Sequence, residues 1–277
     1  MPTDATLPQL RVLPDPEAAA VAAATAIADG IRSAIEERGV AHWATTGGSA
    51  AAPMYRALGS PPLRERVDWE RVHVWWGDDR FVPPDHPASN VQPLEQILLA
   101  TGGDEGQVGT LNADAGAHGL GVFIPNEHMH PIPVSEAIAR GTGTEGAAAA
   151  YATELSTWVP KGDDGLPVFD VLVLGVGGDG HLLSVFPDSA VWDRDKLVVG
   201  VPAPTHIEPH IARVTIHPRL IAAAREVVVI TTGASKAESL AKAWAGADER
   251  QIPVRAARIP TATWFLDEAA AARIDRG

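Results

Sequence analysis

The 277-residue chain contains no cysteine, which excludes disulfide bonds, thiolate nucleophiles and metal sites built on cysteine. No unbroken apolar run approaches about 18 residues, the length that a transmembrane helix needs. No N-terminal stretch combines the basic and apolar parts of a secretion signal. From these absences we expect a protein of the cytoplasm that has no membrane partner.

Basic residues are also in short supply, with 22 Lys and Arg against 35 Asp and Glu, and the net charge is -13. This charge argues against nucleic acid or an anionic membrane as the main partner. It does not exclude an anionic small-molecule substrate, because a few basic residues can dominate the potential inside a cleft. The apolar fraction of 45% is ordinary for a globular protein, and the length fits one large α/β domain or two small ones.

Segments typical of strands alternate with segments typical of helices along most of the chain. The predicted strands cover residues 40–44, 72–76, 171–174, 197–201, 213–217, 227–232 and 262–266. The predicted helices cover residues 16–38, 50–58, 90–100, 144–158, 218–225 and 234–245, with a last one starting at Asp267. The alternation predicts an α/β fold with a doubly wound, mainly parallel sheet flanked by helices, as in Rossmann-like proteins.

Between residues 101 and 143 this pattern fades into Gly, Ala, Asp, His and Pro. We expect a long loop or insertion inside one domain of residues 1–277, because strands of the same type continue after it. The His-rich part, residues 112–133, includes His118, His128 and His130, whose spacing matches no zinc signature. We expect these histidines to be solvated or to lie at the edge of the substrate site, and we expect no metal or other cofactor.

The most informative segment follows the predicted strand 171–174. Four glycines stand there within six residues: Gly175, Gly177, Gly178 and Gly180. They let the backbone turn tightly and approach a ligand closely. The turn delivers Asp179 and His181 to the carboxyl end of a strand, where open α/β sheets bind ligands. His181 is therefore the candidate general base, and Asp179 the group that orients its ring or stabilises the imidazolium.

The same glycines match the dinucleotide-binding fingerprint Gly-x-Gly-x-x-Gly. That fingerprint requires an uninterrupted helix after the third glycine and an acidic residue at the end of the next strand. Pro187 interrupts the segment after about two turns, and the next predicted strand runs into Pro202 without an acid. The sequence therefore disfavours a nucleotide.

Two other strand ends carry groups suited to an anion. Gly47, Gly48 and Ser49 precede a helix, whose first backbone N–H groups and dipole favour negative charge. Lys236 lies in the first turn of another predicted helix, where a cation is unfavourable unless an anion is near. Taken singly, the first segment could be a capped tight turn and Lys236 a solvated side chain. Together they favour a phosphate clamp.

Asp78, Asp79 and Arg80 follow the tryptophan-rich predicted strand. They could form a local salt-bridge cluster. Alternatively, Arg80 binds phosphate or orients the substrate with its planar guanidinium, while one aspartate acts in acid–base chemistry or holds the loop. Ser89 and Asn90 are expected only to cap the helix that follows.

Taken together, these segments resemble the 6-phosphogluconolactonase family, within the larger group that includes glucosamine-6-phosphate deaminase and isomerase. The resemblance runs from the helix after Asp15 to Asp267 and Glu268. Residues 175–187 closely resemble the family signature Gly-x-Gly-x-Asp-Gly-His-x-x-Ser-Leu-Phe-Pro. The weaker matches are residues 46–49 with Ser-Gly-Gly-Ser, 78–80 with Asp-Glu-Arg, 213–215 with Arg-Ile-Thr, 233–237 with Gly-x-x-Lys-Ala, and 264–267 with the family's ending.

The resemblance implies hydrolysis of 6-phospho-D-glucono-1,5-lactone to 6-phosphogluconate in the oxidative pentose phosphate pathway, without a cofactor. We expect His181 to activate water, Asp179 to orient His181, and N–H groups near Gly177 and Gly178 to stabilise the oxyanion. The expected substrate- and phosphate-binding residues are Gly47, Gly48, Ser49, Asp78, Arg80, Gly177, Gly178, Arg213 and Lys236. The oligomeric state is left open.

Two other functions remain open from the sequence. An isomerase or deaminase on the same scaffold would use Asp78 as a carboxylate base, but Arg80 stands where deaminases commonly have tyrosine and residues 184–187 lack their Asn-Glu-Pro. A sugar-phosphate-sensing domain would bind without turnover, but neither a DNA-binding segment nor a basic face is apparent. The family's glutamate is replaced by Asp79, so the role of this shorter acid is also open.

Overall fold

The computed structural model describes residues 7–99 and 120–275, over which strands and helices alternate. The strands are β1 (Gln9–Leu13), β2 (Ala41–Thr45), β3 (Val72–Trp76), β4 (Asp78–Arg80), β5 (Met129–His130), β6 (Val171–Leu174), β7 (Val198–Val201), β8 (Arg213–Ile216), β9 (Glu226–Thr231) and β10 (Ala262–Asp267). The α-helices are α1 (Pro16–Arg38), α2 (Ala51–Leu58), α3 (Gln92–Ile97), α4 (Val134–Ala139), α5 (Gly143–Trp158), α6 (Arg219–Ala223), α7 (Ala237–Ala245) and α8 (Glu268–Ala271). Most of the predicted elements lie within two residues of the observed ones.

Seven strands form a sheet in the order β1-β10-β9-β6-β2-β3-β5, and neighbouring strands are parallel throughout. From the middle of the sheet, the chain adds β2, β3 and β5 toward one edge and β6, β9 and β10 toward the other. The predicted doubly wound α/β fold is therefore confirmed. Helices α1, α2 and α3 pack on one face of the sheet, and α4, α5, α7 and α8 contribute to the core on the other. The carboxyl ends of β2, β6 and β9 consequently open at the same edge of the sheet.

Helix α1 illustrates how local signals and burial combine. Asp15 caps it by accepting the N–H of Ala18 at 2.8 Å, and Gly39 ends it in the left-handed conformation. By length and composition alone α1 could span a membrane, although polar residues interrupt its apolar run. Eight of its residues are buried against the sheet and α2, as expected of a core helix.

Three strands stand apart from the parallel sheet. β4, β8 and β7 form a small antiparallel sheet, whereas the sequence predicts polar residues 78–80 as a loop and gives no sign that 198–201 and 213–216 pair with each other. The apolar side chains of β7 and β8 are buried in the core, and such a run reports burial but not the direction of pairing. β1, which the sequence analysis treats as a polar lead-in, pairs with β10 at the edge of the large sheet.

The region predicted as a long loop, residues 101–143, is described only from residue 120, so His118 lies outside the described residues. Its described part differs from that expectation. β5 adds an edge strand beside β3, and α4 follows it directly. A strand of two residues is too short to leave a periodic pattern in the sequence.

A cluster of histidines surrounds Trp75 where β5 joins the sheet. The ring of His130 stacks on Trp75 at 3.9 Å, and His130 Nε2 lies 2.9 Å from His73 Nδ1. The rings of His42 and His128 stack on His73 at 4.9 and 4.0 Å. Burial, and then the neighbouring imidazoles, lower the pKa of His42 to about 4 and that of His73 to about 3. Within residues 7–99 and 120–275, no three His, Asp or Glu side chains are placed to hold a metal ion.

We predict that acid destabilises the fold through this cluster. The pKa of His73 is lower in the folded chain than its ordinary value of 6.5, so its stabilising contribution is complete above pH 6.5 and is lost as the pH falls toward about 3. When the pH falls from 7.5 to 5, the unfolding free energy of a His73→Gln variant should decrease by about 1 to 2 kcal/mol less than that of the wild type. Urea unfolding at the two pH values measures this difference. The exposed His86 gives the control, since His86→Gln should follow the wild type, and an equal loss in His73→Gln would contradict the prediction.

Candidate active site

The structure brings separate parts of the chain together around one cavity at the carboxyl edge of the parallel sheet. The cavity is lined by the following residues of the predicted site: Gly47, Gly48, Ser49, Asp78, Arg80, Gly177, His181, Arg213 and Lys236. Asp179 lies behind His181, and Gly178 does not line the cavity. Asn90 and Leu183 line it as well, although the sequence analysis gave neither a role there.

His181 stands at the end of the glycine turn that follows β6. Its Nδ1 lies 2.6 Å from Oδ1 of Asp179, and its backbone N–H donates to the same oxygen at 3.1 Å. The turn needs glycine at 177, because a Cβ there would lie 2.0 Å from His181 Nδ1. With Nδ1 turned toward Asp179, Nε2 of His181 is left without a hydrogen-bond partner in the described part of the chain, in a side chain that lines the cavity.

Asp179 is the acceptor for a second imidazole, since its Oδ2 lies 3.1 Å from Nε2 of His206. Burial raises the pKa of Asp179, but the hydrogen bonds and charge of His181 and the bond from His206 outweigh it and hold the pKa well below its usual range. Asp179 is therefore a carboxylate at neutral pH, which favours the His181 tautomer that carries its proton on Nδ1. No sequence pattern points to His206, because it lies 27 residues further along the chain and in no recognisable motif.

The loop before α2 forms another wall of the cavity. Gly48 has a φ of 78°, in the left-handed region that favours glycine. A Cβ at Gly47 would lie 1.9 Å from Oδ1 of Asn90, so only glycine allows this close approach. The loop presents the N-terminal turn of α2 to the cavity, although the N–H of Ala51 donates to the backbone oxygen of Gly48 at 3.2 Å and Pro53 has no N–H.

The antiparallel pairing of β4 with β8 places Arg80 directly opposite Arg213. Like charges opposite each other destabilise a sheet, and an anion between them removes that cost. The Nε atoms of both arginines are buried and have no hydrogen-bond partner among the residues that the structure describes. Burial lowers the pKa of Arg213, against the opposing effect of the Asp78 charge. Two desolvated guanidiniums with free donors form a site suited to an anionic group.

Lys236 reaches the cavity from the short 3-10 turn that precedes α7. Burial lowers the pKa of Lys236, while the charge of Asp179 acts in the opposite direction. Among the described residues Lys236 forms no ion pair within 4.0 Å, so its ammonium group is available to a ligand. Gly233 starts the turn with a φ of 92° and donates its N–H to Asp267 Oδ1 at 2.9 Å. Asp267 also caps α8 and thereby connects two elements at this edge.

Asp79 is buried and binds only protein groups in the described structure. Its Oδ1 accepts the backbone N–H groups of Arg80 and Asn90, both at 2.7 Å, and its Oδ2 accepts the hydroxyl of Ser89 at 2.8 Å. Burial raises the pKa of Asp79 to about 7, against these hydrogen bonds and with a smaller contribution from the charge of Asp78. Asp79 therefore holds the segment after β4 and does not face the cavity.

Asp78 lines the cavity but is also held by protein groups. Its Oδ2 accepts the hydroxyl of Ser184 at 2.5 Å, which joins β4 to the segment following His181. Asn90 donates from Nδ2 to the backbone oxygen of Asp78 at 2.9 Å. The sequence analysis expected Asn90 only to cap α3, but the structure places it between β4 and the loop at Gly47.

The prediction that the backbone N–H of Gly177 is free to bind a ligand is wrong. The backbone N–H of Gly177 was expected to stabilise an oxyanion, but it donates to the backbone oxygen of His181 at 2.8 Å. It is therefore not free for a ligand. Another donor on the His181 side of the cavity is the guanidinium of Arg213, which lies 5.3 Å from the centre of the Phe186 ring, itself 4.8 Å from the His181 ring.

Comparison with known proteins gives consistent results over nearly the whole chain. Residues 14–265 match the family model described as glucosamine-6-phosphate isomerases/6-phosphogluconolactonase. The chain is 37% identical to the 6-phosphogluconolactonase of Streptomyces coelicolor, covering 97% of this chain and 95% of the relative. It is 33% identical to that of Mycobacterium leprae, covering 91% and 93%.

Solved structures show the same architecture. The 6-phosphogluconolactonase of Trypanosoma brucei superposes with a TM-score of 0.79 at 25% identity, covering 98% of this chain and 100% of that one. A monomeric glucosamine-6-phosphate deaminase superposes with a TM-score of 0.72 at 16% identity, covering 96% and 99%. At this identity the second likeness shows the fold alone.

We predict that Asp79 acts as a structural clamp whose ionisation costs stability. Its pKa is raised from 3.8 to about 7 in the folded chain, so its stabilising contribution is complete below pH 3.8 and is lost as the pH rises through about 7. Asp79→Asn keeps one oxygen for the N–H groups of Arg80 and Asn90, can donate from Nδ2 to the Ser89 hydroxyl oxygen, and does not titrate. When the pH rises from 5 to 8, the unfolding free energy of the wild type should therefore decrease by about 1 to 3 kcal/mol more than that of Asp79→Asn.

Chemical denaturation at both pH values measures this change. The matched variant Asp79→Ala leaves three donors without an acceptor and should lose about 2 to 4 kcal/mol. If Asp79→Asn and the wild type show the same pH dependence, Asp79 does not carry the buried proton that we assign to it.

Proposed function

The chain belongs to the family of glucosamine-6-phosphate isomerases and 6-phosphogluconolactonases, and we propose that it uses His181 as the general base of a lactonase. It hydrolyses 6-phospho-D-glucono-1,5-lactone to 6-phosphogluconate, a step of the oxidative pentose phosphate pathway. The observation that carries the role of His181 is its pairing with Asp179 at a cavity that Arg80, Arg213 and Lys236 also line.

The chemistry requires an activated water, a polarised carbonyl and a proton for the leaving oxygen. Nε2 of His181 takes a proton from water as the water oxygen attacks the lactone carbonyl carbon. The tetrahedral intermediate collapses by breaking the bond between that carbon and the ring oxygen, and the imidazolium returns the proton to the ring oxygen. Asp179 holds the Nδ1–H of His181 and stabilises the imidazolium throughout.

The remaining cavity residues bind the substrate. The loop Gly47, Gly48 and Ser49, together with Arg80 and Lys236, binds the phosphate. Binding of the phosphate positions the carbonyl carbon beside His181, so that binding energy far from the reacting atoms contributes to the rate.

The carbonyl end needs its own donor. Arg213 lies on the His181 side of the site, next to Phe186, and its guanidinium lines the cavity. We assign it to the developing oxyanion, in place of the N–H of Gly177. Asp78 lines the cavity as a support, since it accepts the hydroxyl of Ser184.

The alternative activities are less well supported. A sugar-phosphate isomerase or deaminase needs a carboxylate base that faces its substrate, and Asp78 is only 5% exposed and engaged with Ser184. A domain that only senses a sugar phosphate has no use for a general base oriented by a carboxylate, as His181 is by Asp179. Both observations favour hydrolysis.

The first functional prediction concerns the base. His181→Ala should lower kcat for fresh 6-phosphogluconolactone by about 10²- to 10⁴-fold, because general base catalysis is lost while the phosphate ligands remain. His181→Gln offers a side chain of similar size that hydrogen-bonds but does not transfer the proton, and it should lose a similar factor. The assay follows acid release with the spontaneous hydrolysis subtracted.

Unchanged thermal unfolding of both variants would show that the loss is chemical. Wild-type turnover in His181→Gln would remove His181 from its role as the base. Ammonia release from glucosamine 6-phosphate by the wild type, without lactone hydrolysis, would overturn the function itself.

The second functional prediction concerns the phosphate. Lys236→Ala should raise KM by about tenfold or more and change kcat little, because it removes a charge-assisted contact to a part of the substrate that does not react. The preference for 6-phosphogluconolactone over unphosphorylated gluconolactone, measured as the ratio of kcat/KM values, should fall by the same factor.

Lys242 provides the matched control. It is exposed on α7, pairs with Glu238 and does not line the cavity. Lys242→Ala should therefore retain the wild-type KM. An unchanged KM in Lys236→Ala would argue against the phosphate clamp.

A further inference from the structure

We infer that His206 is a positioning residue for the general base, acting through Asp179; the inference rests on the proposed lactonase function. His206 lies in the segment 202–212, which joins β7 to β8 without a helix or strand of its own. Ile207 and Glu208, the next residues of this segment, line the cavity. The segment thus forms part of the cavity wall, and His206 connects it to the catalytic pair.

Four side chains close a ring of contacts around the base. Asp179 accepts His181 on Oδ1 at 2.6 Å and faces Nε2 of His206 with Oδ2 at 3.1 Å. The ring of His206 meets that of Phe186 edge-on, with centroids 5.5 Å apart and planes at 83°. Phe186 in turn packs against His181 at 4.8 Å. Phe186 therefore separates the two imidazoles while Asp179 joins them.

This arrangement gives His206 a specific physical effect. A carboxylate bonded through one oxygen can rotate about its Cβ–Cγ bond and carry the bonded imidazole with it. Donation from His206 to Oδ2 fixes the plane of the Asp179 carboxylate, because Oδ1 is already held by both N–H groups of His181. His206 thereby restricts the orientation of the His181 ring relative to the substrate carbonyl.

His206 does not line the cavity, so it touches neither the water nor the lactone and acts only through Asp179. Its side chain is 51% exposed against 20% for Asp179, so water competes for the bond and the effect is modest. Two contacts that do not involve His206 hold the same segment. His210 Nδ1 lies 2.7 Å from the backbone oxygen of Pro204, and Arg213 Nη2 lies 3.4 Å from that of Pro209. The segment therefore keeps other anchors when His206 is replaced.

The test compares His206→Ala with His206→Gln, whose side-chain N–H replaces the Nε2–H donor of histidine. We expect His206→Ala to lower kcat for 6-phosphogluconolactone by about three- to tenfold with KM unchanged, and His206→Gln to restore most of the loss. A merely structural role of the segment would instead appear in His210→Ala, which disturbs the same segment without touching Asp179. We expect His210→Ala to keep the wild-type kcat.

A double-mutant cycle locates the effect. Once Asp179→Asn has weakened the link to His181, removal of His206 should cost no further rate. The inference is overturned if His206→Ala retains the wild-type kcat, if KM changes instead of kcat, if His206→Gln is no better than His206→Ala, or if the two losses are additive.

A readout that does not depend on turnover separates this inference from the proposed function. The proton on Nδ1 of His181, bonded to Asp179, gives a downfield NMR resonance that should shift in His206→Ala and return toward the wild-type position in His206→Gln. If the wild type fails to hydrolyse the lactone, the proposed function is wrong, while the resonance still reports on the His206–Asp179–His181 contact. If the wild type is active and the resonance does not move, the positioning role alone is wrong.

Discussion

Two adjacent carboxylates buried in β4 hold the walls of the cavity together. Asp79 binds the segment that carries Ser89 and Asn90, and Asp78 binds Ser184 in the segment after the glycine turn. Burying a carboxylate is unfavourable unless hydrogen bonds compensate it, and the pKa of Asp79, raised mainly by burial, reflects that cost. The hydrogen bond from Ser184 to Asp78 connects the turn that carries His181 to β4 on one side of the cavity.

The same strand creates a second unfavourable arrangement, because Arg80 stands opposite Arg213. Close by, Leu183 adopts a φ of 54°, a left-handed conformation that is strained for a branched side chain. Strain and like-charge repulsion persist only where the surrounding structure fixes them, and they concentrate at functional sites. The burial of β8 and the hydrogen bond from Ser184 to Asp78 supply that fixation here. The cavity is thus preorganised for an anionic ligand at the expense of stability.

How much of this follows from the sequence depends on how local the signal is. The parallel strands, the glycine turn and the pair of Asp179 with His181 are encoded within a few consecutive residues, and they were predictable. The bond between Ser184 and Asp78 spans 106 residues and that between His206 and Asp179 spans 27, so no local pattern reveals either. The part of the oxyanion prediction that concerns Gly177 failed for a related reason: the glycine count shows that the turn is tight, but not that the N–H of Gly177 donates to the backbone oxygen of His181.

The charge distribution explains how a chain with a net charge of -13 binds an anion. The cations that line the cavity, Arg80, Arg213 and Lys236, are partly desolvated and lack ion-pair partners among the described residues, so their field acts on the ligand with little screening. In the proposed mechanism, phosphate beside Arg80 and Lys236, and the developing oxyanion beside Arg213, relieve repulsion that the free protein must bear. In the proposed mechanism that relief holds the neutral lactone ring beside His181, where few attractive contacts are needed before the transition state forms. Under the proposed mechanism, strong binding is therefore reserved for the end of the substrate that does not react.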